Sequence, residues 1–343
     1  MKMNALMLTA ADVRPVSEAR LLGSIAVGRG PIADIAVDPD GATIVATNSG
    51  DDSVSVLNAR TLGVETVAPV AGEPFAVATA RGRAFVAASA PTYDSVSAIE
   101  TESNAFLASL PLDLDVVGIA ASRDGRRLFV SGTGPETADL AIVDVESGRV
   151  RTVAVADADS IVGAVRVASN GRFVYVATSD THRGKLTMIH AAKARIVGVV
   201  PTVSPVQDFV LSGDGSVAYV LGRDVQYGGF VETMDTASAR VLATTWIGGH
   251  PTQFALGVDD TRMYIVDVDR VAVMCMITGE IVDAIAVGTQ PSCVAVSPGF
   301  GRLYVADYSG AVTAYAVASQ SSLPDVIDVE TIATVRELEP AGV

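Results

Sequence analysis

Lysine is nearly missing from this chain. Three of its 24 basic residues are Lys, against 39 Asp and Glu. The net charge of −15 excludes a non-specific grip on DNA or RNA, which needs clustered Lys and Arg against phosphate. It equally disfavours docking on an anionic membrane. Cysteine is as scarce: Cys275 and Cys293 are the only two, too few for a disulfide framework. They sit in the apolar runs VAVMCMI and SCVAV and read as buried thiols acting as small hydrophobes. Because those runs fall in neighbouring repeats, a bridge stays geometrically open. No run of 18 apolar residues occurs, so no transmembrane helix is expected. There is no N-x-S/T sequon, no G-x-S-x-G elbow, no zinc spacing and no phosphate-cradling Gly-rich loop.

The start, MKMNALMLTAADV, has one Lys and an apolar stretch shorter than a usual signal-peptide core, with Asp12 just after it. Residues 1–16 therefore read as an uncleaved, flexible N-terminus, and the expected location is the cytoplasm.

What is present is small and apolar. The chain has 343 residues, 49% hydrophobic with 31 Gly. This is not a disordered composition; it suits many short buried strands joined by tight turns. A globule of this length buries roughly 75% of its unfolded surface, so it needs no metal or disulfide to hold it.

The stretch Val287–Ala306, VGTQPSCVAVSPGFGRLYVA, is a turn, a short apolar strand, a Ser-Pro-Gly turn and a second strand. Versions of it recur. The turn residues Gly41, Gly82, Gly125, Gly171, Gly215, Thr261 and Gly301 mark a period of 40 to 46 residues. Each unit carries signals for four strands, and strands such as FVYVAT are Val-rich and aromatic-containing. A period of this length with four strands per unit predicts an all-β fold: a seven-bladed β-propeller of four-stranded antiparallel blades over residues 17–320.

The two ends decide how the ring closes. Unit seven stops after its third strand, while SEARLLGSIAVGRGP near the N-terminus matches TGEIVDAIAVGTQP, the fourth strand and exit turn of unit six. The N-terminal strand should complete the last blade and remove two sheet edges. The acidic tail, residues 321–343, is left as an added strand or short helix on the outside.

The pairs AFVAAS, LFVSG, FVYVAT, AYVLG, MYIVD and LYVAD each follow a D-G-like turn. With VGRGP and VGTQP they resemble the YVTN repeat of bacterial seven-bladed propellers. The resemblance covers Ser17–Ser319 and implies the same fold. Such propellers include surface-layer-like proteins, cytochrome d1-like domains and lactonase-like enzymes, so the resemblance implies no single function. No lactonase catalytic residue can be matched to a position here.

Propeller geometry sorts the loops. The inter-blade turns and the loops after each second strand share one end, here called the top. It should collect carboxylates, including Asp51, Asp52, Asp94 and Asp224; with Tyr227 these form the expected partner face. The turns entering the first strands offer Arg29, Glu73, Asp115, Asp159, Asp208, His250, Gln253 and Gln290 as ligand-binding groups at the channel mouth. The opposite end collects arginines. A hard cation wants several such oxygens, so calcium or another divalent ion is the one alternative to having no cofactor. His250 is the sole candidate general base, with no Ser or Cys tied to it by a motif. The expectation is a monomeric, non-enzymatic scaffold binding a protein partner or small ligand, without nucleic acid or membrane insertion. The alternative is a lactonase-like small-molecule hydrolase, with or without a metal.

Overall fold

The computed structural model describes residues 19–103, 105–287, 290–299 and 301–317. The expected flexible N-terminus, 1–16, and the tail, 321–343, lie outside these. All regular structure among the described residues is strand. Twenty-eight strands form seven antiparallel sheets of four. Blade one comprises β2–β5 (32–69), blade two β6–β9 (73–111), blade three β10–β13 (115–157) and blade four β14–β17 (161–201). Blade five is β18–β21 (206–248) and blade six β22–β25 (253–286). The last blade takes β26–β28 (291–317) from the C-terminal side and β1 (Ala19–Ala26) from the other end of the chain. This is a seven-bladed β-propeller, closed as the chain ends suggested.

The position of a strand in its blade explains its residues. A second strand lies between neighbouring blades on both faces, so β3 (Thr43–Asn48), TIVATN, is buried almost throughout. Strands buried on both faces read as continuous apolar runs rather than as alternation. An outer strand faces solvent: β9 (Phe106–Pro111), FLASLP, is exposed at nearly every position. Seven hydrophobic clusters occur, one at each junction between blades. A single blade therefore has no core of its own; each core belongs to a pair.

The seam obeys the same rule. Ile32, Ile44 and Leu57 of blade one pack against Tyr304 and Val312 of the last blade, with Ile25 and Val27 alongside. β1 pairs with β28 (Ala311–Val317) from Ala19↔Val317 to Ala26↔Ala311. The Tyr304 hydroxyl, fully buried, donates to the Ala59 carbonyl at 2.7 Å, and Arg302 Nη1 donates to the same oxygen at 2.9 Å. Only glycine fits at 310: its φ is +84°, and a Cβ there would lie 2.3 Å from the Gly30 carbonyl oxygen. That contact brings the β27–β28 turn against the turn entering blade one.

Most first strands bulge. The register slips between Ile32 and Ile35 in β2, between Val206 and Asp208 in β18, and at matching places in β6, β10, β14 and β26. A bulge re-aims the side chains beside it. This local feature places the polar groups of the axis.

Candidate site at the axial channel

The first strands of all seven blades line a channel of about 890 Å³ along the ring axis. Its wall is mostly Ala, Val and Gly, because seven converging strands leave room only for small side chains. Three charged residues line it: Asp34, Arg166 and Asp208.

Asp208 is buried, 4% exposed. Arg166 Nη2 donates to its Oδ1 at 2.7 Å, as does the Phe209 N–H at 2.8 Å. Its Oδ2 accepts the Phe254 N–H of the next blade at 3.4 Å. Burial still raises the carboxyl above its usual range, although Arg166 and the two N–H groups oppose this. Arg166 also donates through Nη1 to the Val165 carbonyl at 3.0 Å and lies 5.7 Å from the Phe209 ring centre.

Asp34 holds the equivalent place in blade one. Its oxygens accept the Ile35 N–H and, across the junction, the Val77 N–H of blade two, each at 2.9 Å. It has no ion pair among the described residues. Burial pushes its carboxyl up to about 6, against the Val77 bond and the Arg166 charge. A carboxyl raised in the folded state favours folding while protonated and costs stability as it ionises. Asp34 should therefore withdraw stability as pH rises from about 4 through about 6. We expect Asp34→Asn to flatten the pH dependence of the melting temperature across that window. An unchanged slope would show that Asp34 is not the titrating group.

Gln253 repeats the pattern: its Oε1 accepts the Val294 N–H of the next blade at 3.1 Å. Other junctions use other groups. Asp94 Oδ2 accepts the Val116 N–H at 2.7 Å, Ser179 Oγ accepts the Val206 N–H at 2.9 Å, and Ser131 Oγ donates to the Gly163 carbonyl at 2.8 Å. These side chains tie each of blades one to six to the blade that follows it.

The channel brings together only two of the residues expected at its mouth, Asp208 and Gln253. Asp115 lines a separate 230 Å³ pocket on the top, with Asp94 and Asp113. Arg29 pairs with Asp51 at 3.3 Å. Glu73, Asp159 and Gln290 are exposed in or beside the turns. His250 is exposed, and its backbone N–H donates to Asp267 Oδ1 at 2.9 Å. No Ser or Cys side chain bonds to its imidazole among the described residues. No group of three or more His, Cys, Asp or Glu is placed to hold a metal among them either. Cys275 and Cys293 are both buried and free.

On the expected partner face, Asp52 is exposed with φ at 53°. Asp224 Oδ1 accepts the N–H groups of Gln226 at 2.8 Å and Tyr227 at 2.9 Å. Tyr227 meets Trp246 edge-on with ring centres 5.4 Å apart, and Trp246 is half-exposed rather than packed away. Asp51, Asp94, Asp113, Asp224 and Asp267 occupy top loops, with Arg29 and Arg270 paired to two of them. Arg60, Arg81, Arg126 and Arg149 occupy turns at the bottom, interspersed with Asp124, Asp144 and Asp214.

Sequence reasoning missed Asp34 and Arg166. The available signal was a charge inside an apolar first strand, IADIAV and IVGAVRV, where charges are rare unless they serve a purpose.

The chain is 34% identical over 331 residues to the seven-bladed beta-propeller protein Rv1057 of Mycobacterium tuberculosis, covering 86% of this chain and 84% of that one. It belongs to this family of seven-bladed β-propeller proteins. A seven-bladed beta-propeller protein of Mycolicibacterium smegmatis is 42% identical over 259 residues, 75% of this chain and 70% of its own. No family model matches the propeller. Among solved structures it resembles hydrazine synthase of Kuenenia stuttgartiensis, with a TM-score of 0.76 at 21% identity, covering 86% of this chain and 97% of that chain. It also resembles the Cps50 (Swd1) β-propeller domain of Myceliophteria thermophila, at 0.74 and 10%, covering 88% and 100%. At these identities the likeness is one of fold alone.

Proposed function

We propose that this propeller is a non-enzymatic scaffold that binds a protein partner or small ligand through its acidic end and the channel mouth. The observation that supports it is the gathering of Asp51, Asp94, Asp113, Asp224 and Asp267 in the top loops, where Arg29 and Arg270 pair with two of the five. Such a face focuses a negative potential and draws basic groups toward the mouth. The finer resemblance to YVTN-repeat propellers fits this reading without adding a reaction.

The test is affinity capture from the native organism with the full chain, compared with the Asp52→Lys, Asp113→Lys variant, which reverses two exposed top-loop charges and spares Asp51 and Asp94. The variant should melt within a few degrees of the parent yet lose the captured partner, as the parent should at high salt. Retention of the same partner by the charge-reversed face would count against the acidic end as the binding surface.

A further inference from the structure

The three charges of the channel are not equivalent. Arg166 is spent on Asp208 and on the Val165 carbonyl. Among the described residues, Asp34 accepts from two backbone N–H groups, one on each oxygen, and a carboxylate oxygen accepts more than one bond. With Asp34 ionised, the lumen carries two carboxylates and one guanidinium. A half-buried carboxylate whose one nearby cation, Arg166, is already paired to Asp208 is only partly compensated, and the missing partner is one positive charge.

We propose that the channel binds a small organic monocation, an ammonium group on an apolar body, with the ammonium paired to Asp34. This rests on the reading of the acidic end as the binding end, and it names the ligand class. The lumen volume of about 890 Å³ lies within the roughly 300–1,000 Å³ of small-molecule sites. Phe75, Val117 and Ile161 line the same lumen and offer apolar surface for the body of the ligand. The acidic mouth steers cations inward. A divalent metal fits poorly, because it wants several oxygens and Asp34 already faces two N–H donors. An anion fits poorly, because Arg166 is already paired.

Butylammonium is the probe, titrated calorimetrically into the full chain at pH 8, with 1-butanol and butyrate as uncharged and anionic controls. Butylammonium should bind, and both controls should bind at least about tenfold more weakly. Asp34→Asn should weaken butylammonium by at least about tenfold, while Glu102→Gln, far from the lumen, should leave it unchanged. The charged and titratable groups facing Asp34 are Arg166, Asp208 and the Cys293 thiol. Butylammonium keeps its charge at pH 5, so weaker binding there than at pH 8 would track protonation of Asp34. If Asp34→Asn fails to fold, the parent chain decides: butylammonium should bind about tenfold more weakly at pH 5 than at pH 8, because the Asp34 carboxyl sits at about 6.

Equal binding of butanol, unaltered binding in the folded Asp34→Asn variant, or equal binding of butylammonium at pH 5 and pH 8 overturns the proposal, as does no binding at all. The scaffold reading fails separately. It falls if the charge-reversed top keeps its partner, whatever butylammonium does.

Discussion

Removing residues 1–27 lowers the melting temperature by roughly 8 °C or more. The deletion takes away β1, the outer strand of the last blade, and with it the link that, among the described residues, closes the ring through a sheet. The ladder to β28 runs over the whole of Ala19–Ala26, continues with the Val27 N–H to the Gly310 carbonyl at 2.8 Å, and includes the Ser24–Thr313 hydroxyl pair at 2.8 Å. Each such bond contributes about 0.5–1.5 kcal/mol net. The deletion also removes Ile25 and Val27 from the seam cluster and Ala19 from the cluster between blades six and seven. A loss of about 5 kcal/mol follows from summing these groups at their lower values. For roughly 300 ordered residues the unfolding entropy near the midpoint is about 0.6 kcal/mol per degree, which converts that loss to the stated shift. Calorimetry of the truncated chain checks it. A midpoint within a degree or two of the full chain would mean that another segment occupies the seat of β1.

The second large effect is at the axis. Arg166→Ala should cost about 3 kcal/mol, read as a shift of the urea midpoint. Asp208 is 4% exposed, and removing Arg166, its ion-pair partner among the described residues, leaves a buried, unpaired carboxylate, a loss of about 3–5 kcal/mol in comparable pairs. The lower end applies because the Arg166 side chain is itself 33% exposed to the channel. The effect has a pH signature. Asp208 already sits above the usual carboxylate range, and without Arg166 it moves higher. Folding then favours its protonated form, so the variant should lose little at pH 4 and the full amount at pH 8. The double variant Arg166→Ala, Asp208→Asn should recover most of the loss, because the unpaired Asp208 carboxylate is then gone. A single variant as stable as the parent at pH 8 would mean that channel water solvates Asp208 and the pair is incidental.

The ring was legible in the chain because its evidence is local and repeated. FVYVAT, LFVSG and LYVAD read as strands anywhere, and their spacing fixes four strands per blade. Seven such units lead to closure, since no blade has a core without its neighbours. The match between ARLLGSIAV and EIVDAIAV placed β1 in the last blade before any contact was known. The acidic end was legible too, since strand order alone decides which loops share an end.

The axis was not. Alternation along IADIAV assigns Asp34 to one face or the other, but the bulge between Ile32 and Ile35 turns it toward blade two, where it meets the Val77 N–H. The same slip sends Asp208 to the next blade. Bulges carry no sequence mark in these strands, so a mouth assembled from turn residues included Arg29 and Glu73 and left out Arg166. Nor could composition show that Asp94 is tied to the Val116 N–H while Asp52 stands free.

By itself, then, the sequence determined the architecture, the closing strand and which loops share each end, because these follow from local propensity and connectivity. Tertiary structure alone decided which charges meet in the channel. That outcome depends on how seven bulged strands converge, over distances that no single repeat encodes.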